Sequence, residues 1–271
     1  MHPLSLFIYF ISVLMIVLIN QTPLGIFFSF IVAMGVLIWY RFLSFKQVKH
    51  YFILWLLITF INPLIVLKGA TVLFYIGMQP YTLEALYYGM VYGLLIVSIF
   101  LWSQILNQCI NTYHVTYLLS RFFPTLGLLF SMVLRLIPKF KRQYTHVNQM
   151  QKMMHPHQPK HFWQFQTLLI MMTWLFESSL TLLQSMNARK YQSKRTHFHL
   201  FKWKVADTMF VLIVILLTLM ILCLNRYISK FYFYPIIIFT PFKIIDYFFY
   251  TCAMILLLLV IYIMEKENQN V

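Results

Sequence analysis

Six apolar runs recur along this 271-residue chain: Leu4–Ile19, Leu24–Tyr40, Tyr51–Leu67, Leu83–Leu106, Asp207–Asn225 and Ile244–Met264. Each is close to the roughly 20 residues that carry a helix across about 30 Å of hydrocarbon. In hydrocarbon every backbone N–H and C=O must be paired within the structure, so runs of this kind have helices as their fold. Composition agrees. Only 10% of the residues are charged and 61% are hydrophobic, with a mean hydropathy of +0.77; a soluble domain carries roughly 25% charged residues. The first run lacks a basic leader and a small-residue cleavage site, and reads as a span, not as a removed leader. The fold expected is an all-α integral membrane protein with about six transmembrane helices.

The middle of the chain breaks this pattern. Between residues 107 and 204 the apolar runs shorten and polar residues recur every third or fourth place. Pro124 to Ile137 is apolar but holds only three to four turns, and Pro138 is expected to stop it. From Lys139 to Met154, Phe140, Tyr144, Val147, Gln151 and Met154 follow helical spacing with basic groups opposite. Trp163 to Asn187 reads as a long helix with two faces. One carries Phe165, Leu169, Met172, Phe176, Leu180 and Leu183; the other carries Gln166, Thr173, Glu177, Thr181, Gln184 and Ala188. Such a polar stripe reads as too polar for hydrocarbon and suits a helix lying at the interface and packed on a partner. The chain thus divides into N-terminal spans (1–106), a coupling region with amphipathic helices (107–204) and C-terminal spans (205–271).

Charge sets the orientation. The chain has 21 Lys and Arg against 6 Asp and Glu. Between Lys139 and Lys204 lie eleven of the basic residues, with Glu177 as the sole acid. A basic bias of this kind holds a loop on the cytoplasmic side and offers a surface to an acidic partner. No nucleic-acid-binding pattern accompanies it. Arg226, Lys230 and Lys243 then fall on the outer side, a smaller bias in the opposite sense.

Catalytic patterns are missing from the sequence: there is no GxSxG, no HExxH and no Gly-x4-Gly-Lys phosphate loop. Acids that mark ion paths are scarce in the runs, with Glu84 and Asp246 at run ends. Cys109, Cys223 and Cys252 lie far apart and read as small core residues, not as ligands or a disulfide framework. His155, His157 and His161, and His197 with His199, have no carboxylate or cysteine beside them and read as solvated loop. The expectation is a protein that is not an enzyme, holds no cofactor or metal, and takes any transport energy from another subunit.

From Asn62 to Gln192 the chain resembles the transmembrane T component of energy-coupling-factor (ECF) transporters, the CbiQ/EcfT family. The matching segments run in order: Ile61-Asn-Pro63, Tyr81-Thr-Leu-Glu-Ala-Leu86, Phe123-Pro-Thr-Leu-Gly127, Leu134-Arg-Leu-Ile-Pro138, Gln151-Lys152 and Met186-Asn-Ala-Arg-Lys-Tyr191. The resemblance implies an ABC-type uptake transporter of the bacterial cytoplasmic membrane. In it this multi-pass chain would link two ATPase subunits to a membrane substrate-binding (S) component for a vitamin or a transition-metal ion. In that family two Ala-Arg-Gly-type motifs end two cytoplasmic coupling helices, and each docks in a groove of one ATPase. The second motif maps to Ala188, Arg189 and Lys190. The first falls on Met153, Met154 and His155 beside Lys152, so its Ala-Arg pair is lost. Arg135 and Pro138 take structural places in the coupling helices, read as 139–154 and 163–189. The alternatives are a stand-alone permease or scaffold, and a membrane enzyme using His and Lys at the interface.

Overall fold

The computed structural model describes residues 2–20, 22–66, 69–76, 79–154, 160–189, 203–229, 231–234, 241 and 243–268. They form the helices α1 (Pro3–Ile19), α2 (Pro23–Trp39), α3 (Phe45–Ile65), α4 (Leu83–Cys109), α5 (Thr112–Phe122), α6 (Pro124–Met154), α7 (Lys160–Ala188), α8 (Val205–Leu224) and α9 (Ile244–Asn268). One small antiparallel hairpin, β1 (Val72–Ile76) and β2 (Gln79–Thr82), precedes α4. This is an all-α membrane protein. Five of its helices, α3, α4, α8, most of α9 and the Trp163–Ala188 part of α7, are long and apolar enough to cross a bilayer. At 17 residues, α1 and α2 reach about 26 Å each, the lower end of a crossing.

The chain forms two compact units, residues 1–114 with 201–271, and residues 115–200. The first unit is a bundle of the six helices that correspond to the six apolar runs. Its core is built on α1, where Leu6, Tyr9 and Val13 are fully buried. The Tyr9 hydroxyl donates to the Leu256 carbonyl of α9 at 3.1 Å, and the Trp102 indole of α4 donates to Ser29 Oγ of α2 at 3.0 Å. Such side chains pay their polar groups off inside the bundle, which hydrocarbon demands. Outward, α3 exposes Phe52, Leu56 and Phe60 and α8 exposes Leu212, Ile213 and Leu216, faces made for acyl chains.

Helix ends fix the weave. At one end Gln104 donates to the Phe42 carbonyl at 3.3 Å, and the His2 and Trp203 rings lie 4.5 Å apart. At the other, the Tyr250 hydroxyl donates to Thr22 Oγ1 at 3.0 Å, and Asn62 Nδ2 donates to the Ala85 carbonyl at 2.9 Å. The six helices therefore alternate in direction, and the chain leaves the bundle after α4 and returns before α8 at the same end. Pro3 and Pro23 begin α1 and α2, where a missing N–H costs nothing. The buried acids Glu84, Asp207 and Asp246 all sit in first turns, of α4, α8 and α9. Asp246 accepts from the Lys243 N–H and the Ser229 hydroxyl, both at 2.8 Å. These carboxylates answer the positive helix ends and so need no ion path to explain them.

The structure adds to or departs from the pattern of apolar runs at four places. Between the third and fourth runs lies the hairpin, with Phe74 stacked on Tyr81 at 4.6 Å. Helix α3 starts at Phe45, six residues before the apolar run Tyr51–Leu67, because the Gln47 side chain accepts the Ser44 N–H at 3.0 Å and caps the helix early. A separate helix, α5, occupies Thr112–Phe122. Pro138 does not stop a helix: α6 runs through it for 31 residues, so the apolar run 124–137 and the coupling helix 139–154 are one element. Proline removes only its own N–H, here the donor to Leu134, and packing against α7 holds the rest of the turn.

Candidate functional site

The second unit presents the residues singled out by the sequence. Its entry is tight: α5 turns into α6 at Phe123, whose N–H donates to Leu119 at 2.8 Å. Gly127 lies against Ser120 so closely that no Cβ fits there. Helices α6 and α7 then pack as a pair. The α7 face that meets α6 carries Thr167 and Met171, both buried, and Trp174, Ser178, Leu182 and Met186, all half-buried, a spacing of three or four residues. The α6 face carries Met132, Leu136, Gln143, Val147 and Gln151, four or seven residues apart. Met132–Lys139 lie opposite Ser178–Arg189, which is the pairing of antiparallel helices.

The seam differs from the one the sequence suggests. Val147 and Gln151 face inward as the spacing predicts, but Phe140, Tyr144 and Met154 are exposed. On α7 the polar residues Thr173, Glu177 and Gln184 are exposed beside the seam and not in it. The apolar stripe Phe165, Leu169, Met172, Phe176, Leu180 and Leu183 points away from α6, each residue between 47% and 68% exposed. Within the seam, the buried oxygens Asn148 Oδ1 and Gln151 Oε1 have no hydrogen-bond partner among the described residues. Each such acceptor costs on the order of 1–3 kcal/mol, so the pair is held less firmly than an apolar seam of equal length.

A groove of about 620 Å³ opens between the two helices, and Arg135, Lys139 and Arg189 all line it together with Ser178, Thr181 and Ser185. Sequence reading set Arg135 apart as structural and Arg189 as a docking group, and did not single out Lys139 within the groove. They belong to one cationic surface. Lys139 Nζ also lies 5.5 Å from the centre of the Trp174 ring, a contact worth roughly 0.5–1 kcal/mol at an exposed site. A second concavity on α6 shares Arg135, Pro138 and Lys139 and continues along Arg142, Gln143 and His146. Glu177 is the sole carboxylate in 115–200 and lines neither.

The helix ends carry the remaining candidates. Ala188 closes α7 and Arg189 follows it, both exposed, with the Arg189 N–H donating to the Ser185 carbonyl at 3.2 Å. Lys152, Met153 and Met154 form the exposed last turn of α6. In an antiparallel pair these two ends lie apart by about the length of α7, 29 residues or roughly 43 Å. Lys190 lies outside the described residues, as do His155, His157, His197 and His199, and nothing is described of the His161 side chain. Of the cysteines, Cys109 and Cys252 are buried and Cys223 is exposed. No family model matches this chain, and no curated protein matches it.

Proposed function

We propose that this chain is the transmembrane coupling subunit of an ATP-driven uptake transporter of the energy-coupling-factor type. It would join two ABC-type ATPase subunits to a membrane substrate-binding component for a vitamin or metal ion. The observation that carries this reading is the α6–α7 pair: two long antiparallel helices, inserted between spans, with exposed C-terminal ends at Met154 and Arg189. Two ends about 43 Å apart suit two separate docking points, and a rigid helix between them suits the passing of force. The sequence has no phosphate loop, so ATP hydrolysis belongs to the partners.

Charge supports a cytoplasmic position for the pair. The bundle end from which it emerges carries Arg41, Lys46, Lys49, Lys204 and Lys266, against Arg226 and Lys243 at the other end among the described residues. Basic ends stay inside. At the Arg189 end a guanidinium fork meets carboxylates or carbonyls of an ATPase groove, and Ala188 lets the surfaces approach. At the Met154 end Met153 and Met154 fill an apolar groove, as flexible thioether chains do, with Lys152 for polar contact. The test is affinity capture of the intact protein from its native membrane, followed by identification of ATPases bound to it. Capture that yields no Walker-type ATPase overturns the reading.

A further inference from the structure

We propose that the groove between α6 and α7 holds the headgroup phosphate of an anionic membrane phospholipid. Three cations, Arg135, Lys139 and Arg189, converge on this groove of about 620 Å³ with three hydroxyls, those of Ser178, Thr181 and Ser185. That volume lies within the roughly 300–1,000 Å³ of small-ligand sites. The occupant has to be an anion, since no carboxylate lines the groove. The Thr181 hydroxyl donates to the Glu177 carbonyl at 2.9 Å, while Ser178 and Ser185 donate to nothing among the described residues. A phosphodiester uses such a set fully: its unprotonated oxygens accept from guanidinium forks in pairs and from hydroxyls singly. Arg142 extends the positive surface along α6, so the headgroup is drawn in from one side.

The surroundings select a lipid over a soluble phosphate. Helix α7 turns an unbroken apolar stripe outward, with Phe165, Leu169, Met172, Phe176 and Leu180 exposed. With this stripe, which points away from α6, laid on the membrane surface, lipid headgroups flank α7 and reach the groove from beside it, whereas free phosphate has no use for the stripe. Basic pockets among membrane helices hold anionic headgroups in this way. The site shares Arg189 with the proposed ATPase contact but does not rest on it.

The test uses the full-length protein in nanodiscs of phosphatidylcholine with and without phosphatidylglycerol, with retained lipid read by native mass spectrometry. Phosphatidylglycerol is retained over phosphatidylcholine by the wild type. At about a kilocalorie per cation, the Arg135→Gln/Lys139→Gln variant binds it about thirtyfold more weakly. The charge-conserving Arg135→Lys/Lys139→Arg variant keeps the preference and shows that the α6–α7 pair is intact. Lys46→Gln/Lys49→Gln, which removes two cations of α3, changes nothing. Equal retention by the Gln pair, an equal loss in the α3 variant, or displacement of the lipid by millimolar inorganic phosphate each overturns the proposal. Lipid retention is measured without any ATPase, so its failure and the failure of the coupling role are seen separately.

Discussion

Arg189 stands one residue beyond the last turn of α7, where the helix dipole favours a cation. Its charge faces a groove already holding Arg135 and Lys139, with no carboxylate to neutralise it. Three like charges on one surface repel one another, and an acidic ligand or partner relieves that repulsion. The Arg189→Glu protein is expected to insert and purify like the wild type while losing its ATPase, a cost of roughly 2–5 kcal/mol for a broken, partly desolvated charge contact. Wild-type ATPase yield with that variant would falsify the docking role. Met154 sits at the other end with no charge of its own. Contact there is expected to be apolar, so Arg189→Ala weakens assembly in a salt-dependent way and Met154→Ala in a salt-independent way. Matching salt dependence, measured by pull-down across ionic strength, removes the asymmetry. Both end residues were legible in the sequence because a helix end is a local event. Lys139, Ser178 and Ser185 as neighbours of Arg189 were not, since their meeting depends on the register of two helices joined by residues 155–159.

At the scale of elements, the six bundle helices were legible because hydrocarbon thickness sets their length. Pro138 was misread for a physical reason. Its cost of about 3 kcal/mol is a penalty on an isolated helix, and tertiary packing along α7 overrides it. The hairpin at 72–82 was hidden by its shortness: strands of five and four residues carry too little pattern to be told from a connection. Gly89 and Gly93, four residues apart on α4, have the spacing of a close helix contact, and their partner is α3 of the same chain. A Cβ on Gly89 would lie 2.8 Å from Asn62 Cβ and 2.9 Å from the Thr59 carbonyl oxygen, while one on Gly35 meets nothing within 4 Å. Gly89→Ala is therefore expected to separate α3 from α4 and destabilise the bundle by roughly 1–3 kcal/mol. Gly35→Ala is expected to leave stability unchanged or raise it. Thermal unfolding in detergent measures both, and equal melting temperatures for the two variants would mean that the α3–α4 contact is looser than described.

For the whole molecule the question is which helices cross the bilayer, and chain parity limits the answers. The chain leaves the six-helix unit after Cys109 and returns at Trp203 on the same end of the bundle. An even number of crossings must therefore fall between them. Helix α7 has the length and composition to cross alone, but one crossing is odd, so α6 or α5 would have to cross with it. Helix α5 is 11 residues long, about 17 Å. Helix α6 carries Arg135, Lys139, Lys141 and Arg142 at its middle, where translocon-type scales charge about 2.5–3.5 kcal/mol per cation. Its apolar part, 124–137, spans only about 21 Å. Zero crossings is the cheaper even number. On the proposed coupling role both ends of α7 are therefore expected on one side of the membrane, with the exposed apolar stripe against its surface. Cysteines placed at the exposed positions Gln164 and Asn187, in a background with Cys109, Cys223 and Cys252 replaced by Ala, report this directly. Both are expected to resist impermeant thiol reagents in intact cells and to react in inverted vesicles. A cysteine at the exposed Arg226, on the opposite end of the bundle, is expected to react in intact cells. If Gln164→Cys and Asn187→Cys label from opposite faces, α7 crosses, and the proposal that Arg189 and Met154 dock partners on one side of the membrane fails.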